Sequence, residues 1–488
     1  MSGGDVSRGG SLVKNTVVFA VGSFGQNLLP FIMMRFYTGI LDKGDFTKVA
    51  ALTAICNILL PILSLCIYDG VLRFAMHRDA DKSAVFSVGM RLSLAGAAIT
   101  LIAGIGLMFW PGINRVYLWL VLAQSISTML LSLMMYFLRA IGRTVLFAIS
   151  TVAQAMIIVL CNILFLGVFR FGVVGYMASY IAGSITALLL SFIGGKLWNS
   201  FRIKKPDSAL QGKMIKFSIP LMLNALCYIA ITSTIILFVE RFCEESQQDL
   251  FTAANKIAAI MIVINTIFIL AWQLSANVEY GQNDYPRFVG RVNTMYQSIF
   301  LMAGASITIL AKPIIFIMTD ESIHGSWQYV PLLVLGTTLF TFGQFLGVLY
   351  IAGGKPIRAF ITNGVTAVCS LCVGFVLTKH LGILGACVGQ IITYLVFWLL
   401  RLFTLRKEID SPKWGRSVLL SGLVFTALTA VITWDFPYAF YIGLGLWAIM
   451  LAMNFKVLLK MLDWVRRNFL GLLKRRIPSA DGMTCGEN

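Results

Sequence analysis

Apolar stretches of membrane-spanning length follow one another along almost the whole chain, and no other feature narrows its possible folds so far. A helix needs about 20 mostly apolar residues to cross the hydrocarbon core of a bilayer. About fourteen such runs are present, at roughly 15–37, 47–68, 84–109, 114–138, 143–168, 173–195, 214–238, 249–274, 288–311, 328–351, 357–378, 382–403, 415–434 and 437–460. Of the 488 residues, 58% are hydrophobic and only 12% are charged, whereas a soluble protein carries roughly 25%. That charge is too little to cover a soluble surface, so most of the surface must face lipid. The first run is too long for a signal-peptide core and no small-residue cleavage site follows it, so it reads as a retained span.

The net charge of +18 would suit a nucleic-acid partner, but the placement of the basic residues argues against one. They sit in short gaps between apolar runs. One set of alternate gaps holds Arg73, Arg78 and Lys82; Arg139 and Arg143; Lys196, Arg202, Lys204, Lys205 and Lys213; Arg287; Lys355 and Arg358; Arg406, Lys407 and Lys413. The other set holds little more than Lys43, Arg115, Arg170, Arg241, Lys312 and Lys379. With both tails counted in the first set, the bias is roughly fourfold or more, which predicts that set, and both termini, to be cytoplasmic. Glu245 and Asp320 are then external. Neither of the longest external connections, around Glu240–Asp249 and Lys312–Trp327, is large enough to fold as a catalytic domain. Most cysteines fall inside apolar runs, where a thiol packs as a small hydrophobe. Cys369-x-x-Cys372 has no neighbouring His or second pair, so no metal, cofactor or disulfide framework is expected.

A stretch near the middle of the chain occurs twice. Gly142-Arg143 precedes an apolar run and then Gly172-x-x-Gly175. Gly354-Lys355 precedes another run and then Gly382-x-x-Gly385. The offset of about 210 residues is too long for a solenoid unit and suits a duplicated half of a transporter. Each copy reads as a basic turn, a membrane-length helix, a tight glycine turn and a second helix. An even number of spans per half gives both halves the same orientation, so the repeats are parallel. The expected division is an N-terminal six-helix lobe over 14–197, a basic cytoplasmic linker over 198–213 and a second six-helix lobe over 214–405. Two additional spans over 414–460 and a basic cytoplasmic tail over 461–488 complete it. The tail is expected to be amphipathic and drawn to anionic lipid.

Charge within a bilayer is costly and marks candidate sites. Lys256, beside Asn255, lies well inside the eighth run. It is a cavity-lining candidate, against a bland reading in which it snorkels to the outer interface. Arg35 follows Pro30 near the outer end of the first run and reads equally as an interfacial anchor or a functional group. Asp69 and Arg73 are four apart and can pair on one helix face, as a capping ion pair or as a gate at the cytoplasmic mouth. Amides lie within many spans, among them Gln26, Asn57, Gln124, Gln154, Asn162, Asn224, Asn265, Gln273, Gln344, Asn363 and Gln390. Interhelical hydrogen bonds take some of them, at roughly 1 kcal/mol each. A water-filled cavity that bonds sugar hydroxyls would use the rest. Well-buried acids are nearly absent, which gives a proton relay little support.

These features resemble the polysaccharide-transporter branch of the MOP (MATE-like) flippase superfamily. The matching residues are Tyr37-Thr38-Gly39-Ile40-Leu41, Asp69-Gly70-Val71-Leu72-Arg73-Phe74, Pro220-Leu221-Met222-Leu223-Asn224, Ala253-Ala254-Asn255-Lys256, Ala271-Trp272-Gln273 and the paired glycine motifs. The resemblance runs from about Lys14 to Arg406 and points to Wzx-type flippases of O-antigen or capsule repeat units. It implies an all-α polytopic membrane protein of about fourteen transmembrane helices, arranged as two six-helix lobes, a parallel pseudo-repeat, plus two C-terminal helices. It further implies a non-enzymatic flippase in the bacterial plasma (inner) membrane, with undecaprenyl-diphosphate-linked oligosaccharide as substrate. Membrane lipid is a further partner, with a polysaccharide polymerase and chain-length proteins as candidates. Substrate contacts are expected from Arg35, Arg73, Asn255, Lys256, Gln26, Gln273 and Gln344, with Asp69 and Arg73 as a gating ion pair. The alternative is a MATE-like cation-coupled multidrug or small-molecule antiporter. Relatives of that kind usually carry an acid within an N-lobe helix, and no such residue lies well inside a span here. A polytopic polymerase or ligase is a third reading, disfavoured by the short external loops.

Overall fold

The computed structural model describes residues 31–76, 81–112, 114–201, 208–409 and 414–474. Gln26, most of the first expected span, the centre of the expected linker and the end of the basic tail lie outside these residues. Among the described residues every regular element is helical. Nine helices among these residues are long and apolar enough to cross a membrane, or ten if one bent pair is a single span. The chain is a multi-pass membrane protein.

The first half runs through α1 (Met34–Ile40), α2 (Asp45–Ser64), α3 (Ile67–Ala75), α4 (Lys82–Leu107), α5 (Arg115–Ala140), α6 (Thr144–Asn162) and α7 (Gly172–Gly194). The second half runs through α8 (Ser208–Phe242), α9 (Glu245–Ala258), α10 (Ile260–Glu279), α11 (Tyr285–Ile309), α12 (Ala311–Met318), α13 (Val330–Ala352) and α14 (Pro356–Leu405). The last two helices, α15 (Trp414–Thr433) and α16 (Ala439–Lys474), pack against α11. Helix α8 begins at Ser208, so the end of the expected linker is already helical.

The duplicated motifs fold alike. Gly142 and Gly354 both take a left-handed backbone (φ 78° and 64°), which carries the chain round each basic turn. Gly172 and Gly382 do the same where the following helix begins (φ 54° and 57°). Gly382 lies within α14 and breaks it into two arms. The second glycine of each motif is needed for a different reason. A Cβ at Gly175 would press within 3.2 Å of the Phe165 carbonyl oxygen, and one at Gly385 would collide with that of Leu377. Each motif is therefore a helix opening plus a close backbone crossing, rather than a tight turn alone.

Two faces follow. The upper face gathers the starts of α2, α7 and α9: Gly172 lies by the Asp45 carboxylate and Gly382 by the Gln247 amide. The lower face holds the basic turns. There Arg143 Nη1 donates to the Gly195 carbonyl (2.7 Å) and Lys355 Nζ to Glu408 Oε1 (2.7 Å). Glu408 holds the Lys355 ammonium above the usual lysine range through that bond and its charge. The loop charge bias expects the upper face outside and the lower face in the cytoplasm.

The second span is broken where no glycine marks the place. Leu65 and Cys66 are both left-handed (φ 49° and 52°), and the Ser64 hydroxyl accepts the Cys66 amide (3.1 Å). Left-handed geometry costs a non-glycine residue roughly 1–2 kcal/mol. The ninth span also bends, by 63° between α11 and α12. The expected outer loop over 312–327 is thus largely α12 and a 3-10 turn, Glu321–Gln328.

Candidate functional site

The two halves meet along the upper ends of α1, α2 and α9, and the meeting is polar. Helix α2 starts behind Gly44, a left-handed residue with no side chain to cap the exposed amides. Asp249 of α9 supplies the cap from the other half. Its Oδ2 accepts the Gly44 amide (2.8 Å), and its Oδ1 accepts the Thr47 amide (3.0 Å) and hydroxyl (2.9 Å). The Thr47 and Thr252 hydroxyls share a further bond of 2.6 Å. Asp249 is only 6% exposed, so these bonds replace its water. A carboxylate at a helix N-terminus also gains from the helix dipole. Around this centre the Asp320 amide donates to the Thr38 hydroxyl (3.0 Å), and Lys48 approaches Glu245 (3.8 Å).

Asp249, Thr252 and Lys256 are spaced three and four apart, so they share one face of α9. Lys256 therefore lies directly below the Asp249 contacts, about 16 Å along the helix from Glu245. It is half-buried, and its ammonium sits 4.3 Å from the Phe46 ring centre and 5.6 Å from that of Tyr37. Both rings belong to the first half. Among the described residues no carboxylate pairs with Lys256. Its surroundings are instead aromatic and amide. Tyr37 accepts from Asn162 Nδ2 (2.9 Å), and the neighbouring Asn255 accepts from Gln390 Nε2 (3.4 Å).

The other expected site residues are scattered. Arg35 is exposed at the upper face and donates to the Ile317 carbonyl (3.1 Å), so it ties α1 to the end of α12. Arg73 lies on the lower side, exposed, with its guanidinium 4.3 Å from the Phe217 ring centre on α8. The expected Asp69–Arg73 ion pair is absent; the cation whose field reaches Asp69 is Arg139. Gln344 is engaged with Tyr228 (3.1 Å), and Gln273 is half-buried near the lower end of α10. Much of the expected surplus of amides is spent between helices: Asn363 donates to Asn224 (2.9 Å), Tyr296 to Asn265 (2.7 Å) and Gln154 to Ser184 (3.4 Å).

Two residues stand out that the sequence did not single out. Asp249 is one. The other is Arg401, 5% exposed near the lower end of α14. It donates to the Gly343 carbonyl (2.7 Å) and to Asn363 Oδ1 (2.8 Å), and it stacks 4.0 Å from the Phe397 ring centre. These contacts tie α13 to both arms of α14, and a side chain at Gly347 would collide with its guanidinium. An arginine in the closing residues of an apolar run was the available signal.

No family model and no curated protein matches the sequence. Solved structures match over most of their length. One described as the lipid II flippase MurJ in an inward closed conformation has a TM-score of 0.67 at 11% identity, covering 94% of this chain and 100% of that one. An inward-facing multidrug resistance MATE family transporter of the MOP superfamily has a TM-score of 0.63 at 16% identity, covering 78% and 95%. The MATE transporter ClbM in complex with Rb+ has a TM-score of 0.55 at 16% identity, covering 84% and 96%. At such identities the likeness shows the fold alone: an all-helical, multi-span architecture of the MATE and MurJ type.

Proposed function

We propose that the protein is a flippase that carries undecaprenyl-diphosphate-linked oligosaccharide units from the inner to the outer leaflet of a bacterial plasma membrane, for O-antigen, capsule or exopolysaccharide biosynthesis. The observation that carries this reading is Lys256. It is a cation on one lobe, facing aromatic rings of the other, with no carboxylate partner among the described residues. A half-buried ammonium held only by aromatic faces retains most of its appetite for an anion. A diphosphate supplies that anion, and it travels with a lipid tail that never has to leave the hydrocarbon.

In this mechanism the Asp249 contacts close the outer side above Lys256. Loading from the inner side brings the diphosphate to the ammonium. Separation of the lobes at the upper face then breaks the Asp249 contacts and opens the same cation to the outside. Direction needs no coupled ion. At an inside-negative potential of 100 mV, moving about two negative charges outward gains roughly 4–5 kcal/mol. The second reading, a cation-coupled antiporter, draws on the MATE neighbours. Against it, Asp249, the buried acid at the lobe interface, already accepts three hydrogen bonds from α2.

Depletion of the protein in its source cells is the test. Polyprenyl-diphosphate-linked glycan is expected to accumulate several-fold, in a pool that a membrane-impermeant glycan-modifying reagent cannot reach in intact cells. An unchanged lipid-linked pool together with altered tolerance of cationic drugs would move the assignment to the antiporter.

A further inference from the structure

The first half also carries a half-open cavity of about 350 Å³, apart from the Lys256 site. It lies between α5 and α6, both of which pack along α7. Thr128, Ser132 and Tyr136 of α5 line it, with Thr151 and Gln154 of α6 and Tyr180 of α7. The first three are four residues apart, so one face of α5 presents three hydroxyls in a column. Phe147 forms a wall. The Arg139 guanidinium lies 5.4 Å from the Tyr136 ring centre and 5.7 Å from that of Phe147, which holds both rings in place.

Three properties define what fits. The lining has hydroxyls and an amide but no residue that is charged at neutral pH. The Ser132 and Tyr136 hydroxyls make no hydrogen bond to the described protein, so they are free for a ligand. The aromatic walls offer flat faces. A hydrocarbon tail would leave these polar groups unsatisfied, at a cost of about 1–3 kcal/mol each, and an ion would find no charged group in the lining itself, Arg139 standing behind the Tyr136 and Phe147 rings. A sugar ring satisfies all three conditions, since its hydroxyls meet Ser132 and Tyr136 while its C–H face lies on an aromatic ring. The volume equals about twelve waters at roughly 30 Å³ each, room for one hexose with some solvent.

A chain of side-chain contacts links the cavity wall to the Lys256 site. Tyr180 accepts from the Tyr176 hydroxyl (3.0 Å), and the Tyr176 ring packs 5.2 Å from the Tyr37 ring, which faces the Lys256 ammonium. We propose that this cavity is the glycan subsite, receiving a sugar ring of the substrate whose diphosphate is held by Lys256. The proposal rests on the flippase reading and adds the residues that read the sugar.

Binding to the purified full-length protein in lipid nanodiscs separates the two. The probes are undecaprenyl diphosphate without sugar, and the polyprenyl-diphosphate-linked glycans extracted from membranes of the source organism. The wild-type protein is expected to bind the glycan-bearing probe at least ten-fold more tightly than the bare carrier. The double variant Ser132→Ala/Tyr136→Phe should lose that advantage and bind the bare carrier as the wild type does, which also shows that it is folded. Tyr136→Phe, the milder change, should lose about five-fold on the glycan probe alone. If either variant weakens both probes equally, or weakens neither, the cavity is not the glycan subsite. If the wild type binds neither probe, the flippase reading itself fails and takes the subsite with it.

Discussion

Replacing Lys256 by alanine is expected to stop glycan export, by at least a hundred-fold, while the protein stays in the membrane at its normal level. Truncating one partner of a buried, charge-assisted contact typically costs about 2–5 kcal/mol, and every 1.4 kcal/mol is tenfold. What the fold loses is smaller, because among the described residues Lys256 is tied only to the Phe46 and Tyr37 faces. Such contacts contribute roughly 0.5–2 kcal/mol. Lys256→Gln keeps polarity without charge and should resemble alanine. Lys256→Arg keeps the charge in a different shape and should retain part of the activity. Export of lipid-linked glycan, measured beside the membrane content of each variant, distinguishes the three. Wild-type export by both the alanine and glutamine variants would reduce Lys256 to a packing residue and remove the observation on which the functional reading stands.

The second large effect belongs to Asp249. Asp249→Ala removes the side-chain cap on α2 and uncovers the Gly44 and Thr47 amides. A hydrogen bond to a charged acceptor contributes about 1.5–3 kcal/mol, but part of this is regained from water once the lobes part. A net shift of about 2 kcal/mol, roughly thirty-fold toward the open upper face, is expected. Asp249→Asn keeps the shape and should lie between. Spin labels on cysteines placed at Asp42 and Glu321, both exposed and on opposite lobes, report the separation in a background without native cysteines. A longer distance population should grow in the alanine variant. An unchanged distance distribution would mean that Asp249 holds α2 locally and gates nothing.

What the sequence made legible was whatever the backbone encodes locally. The basic turns and the paired glycine motifs are short, and their geometry depends on residues that touch along the chain. Gly142 and Gly354, and Gly172 and Gly382, therefore take matching conformations. Lys256 was visible because a charge within an apolar run is conspicuous wherever it points. Direction was the harder quantity. Adjacent residues on a helix differ by about 100° in facing, and only packing fixes the rotation. That is why Arg35 turned out to hold the Ile317 carbonyl and Arg73 to lie on Phe217 rather than beside Asp69. Asp249 looked like part of a polar connection because its partners lie more than 200 residues earlier. Arg401 was hidden by span boundaries uncertain by a few residues, which made a buried cation look like a helix end. The break at Leu65–Cys66 carries no glycine, and the proline before it, Pro61, lies inside α2.

Outward movement of a diphosphate-linked glycan past Lys256 is tested most directly in sealed vesicles. Purified protein is reconstituted with lipid-linked glycan from the source organism in both leaflets, and an impermeant enzyme modifies whatever glycan faces outside. Wild-type vesicles should expose the inner pool as well, faster when a potassium gradient makes the interior negative, and Lys256→Ala vesicles should expose only the outer half. Wild-type vesicles that expose no more glycan than protein-free ones would contradict the account.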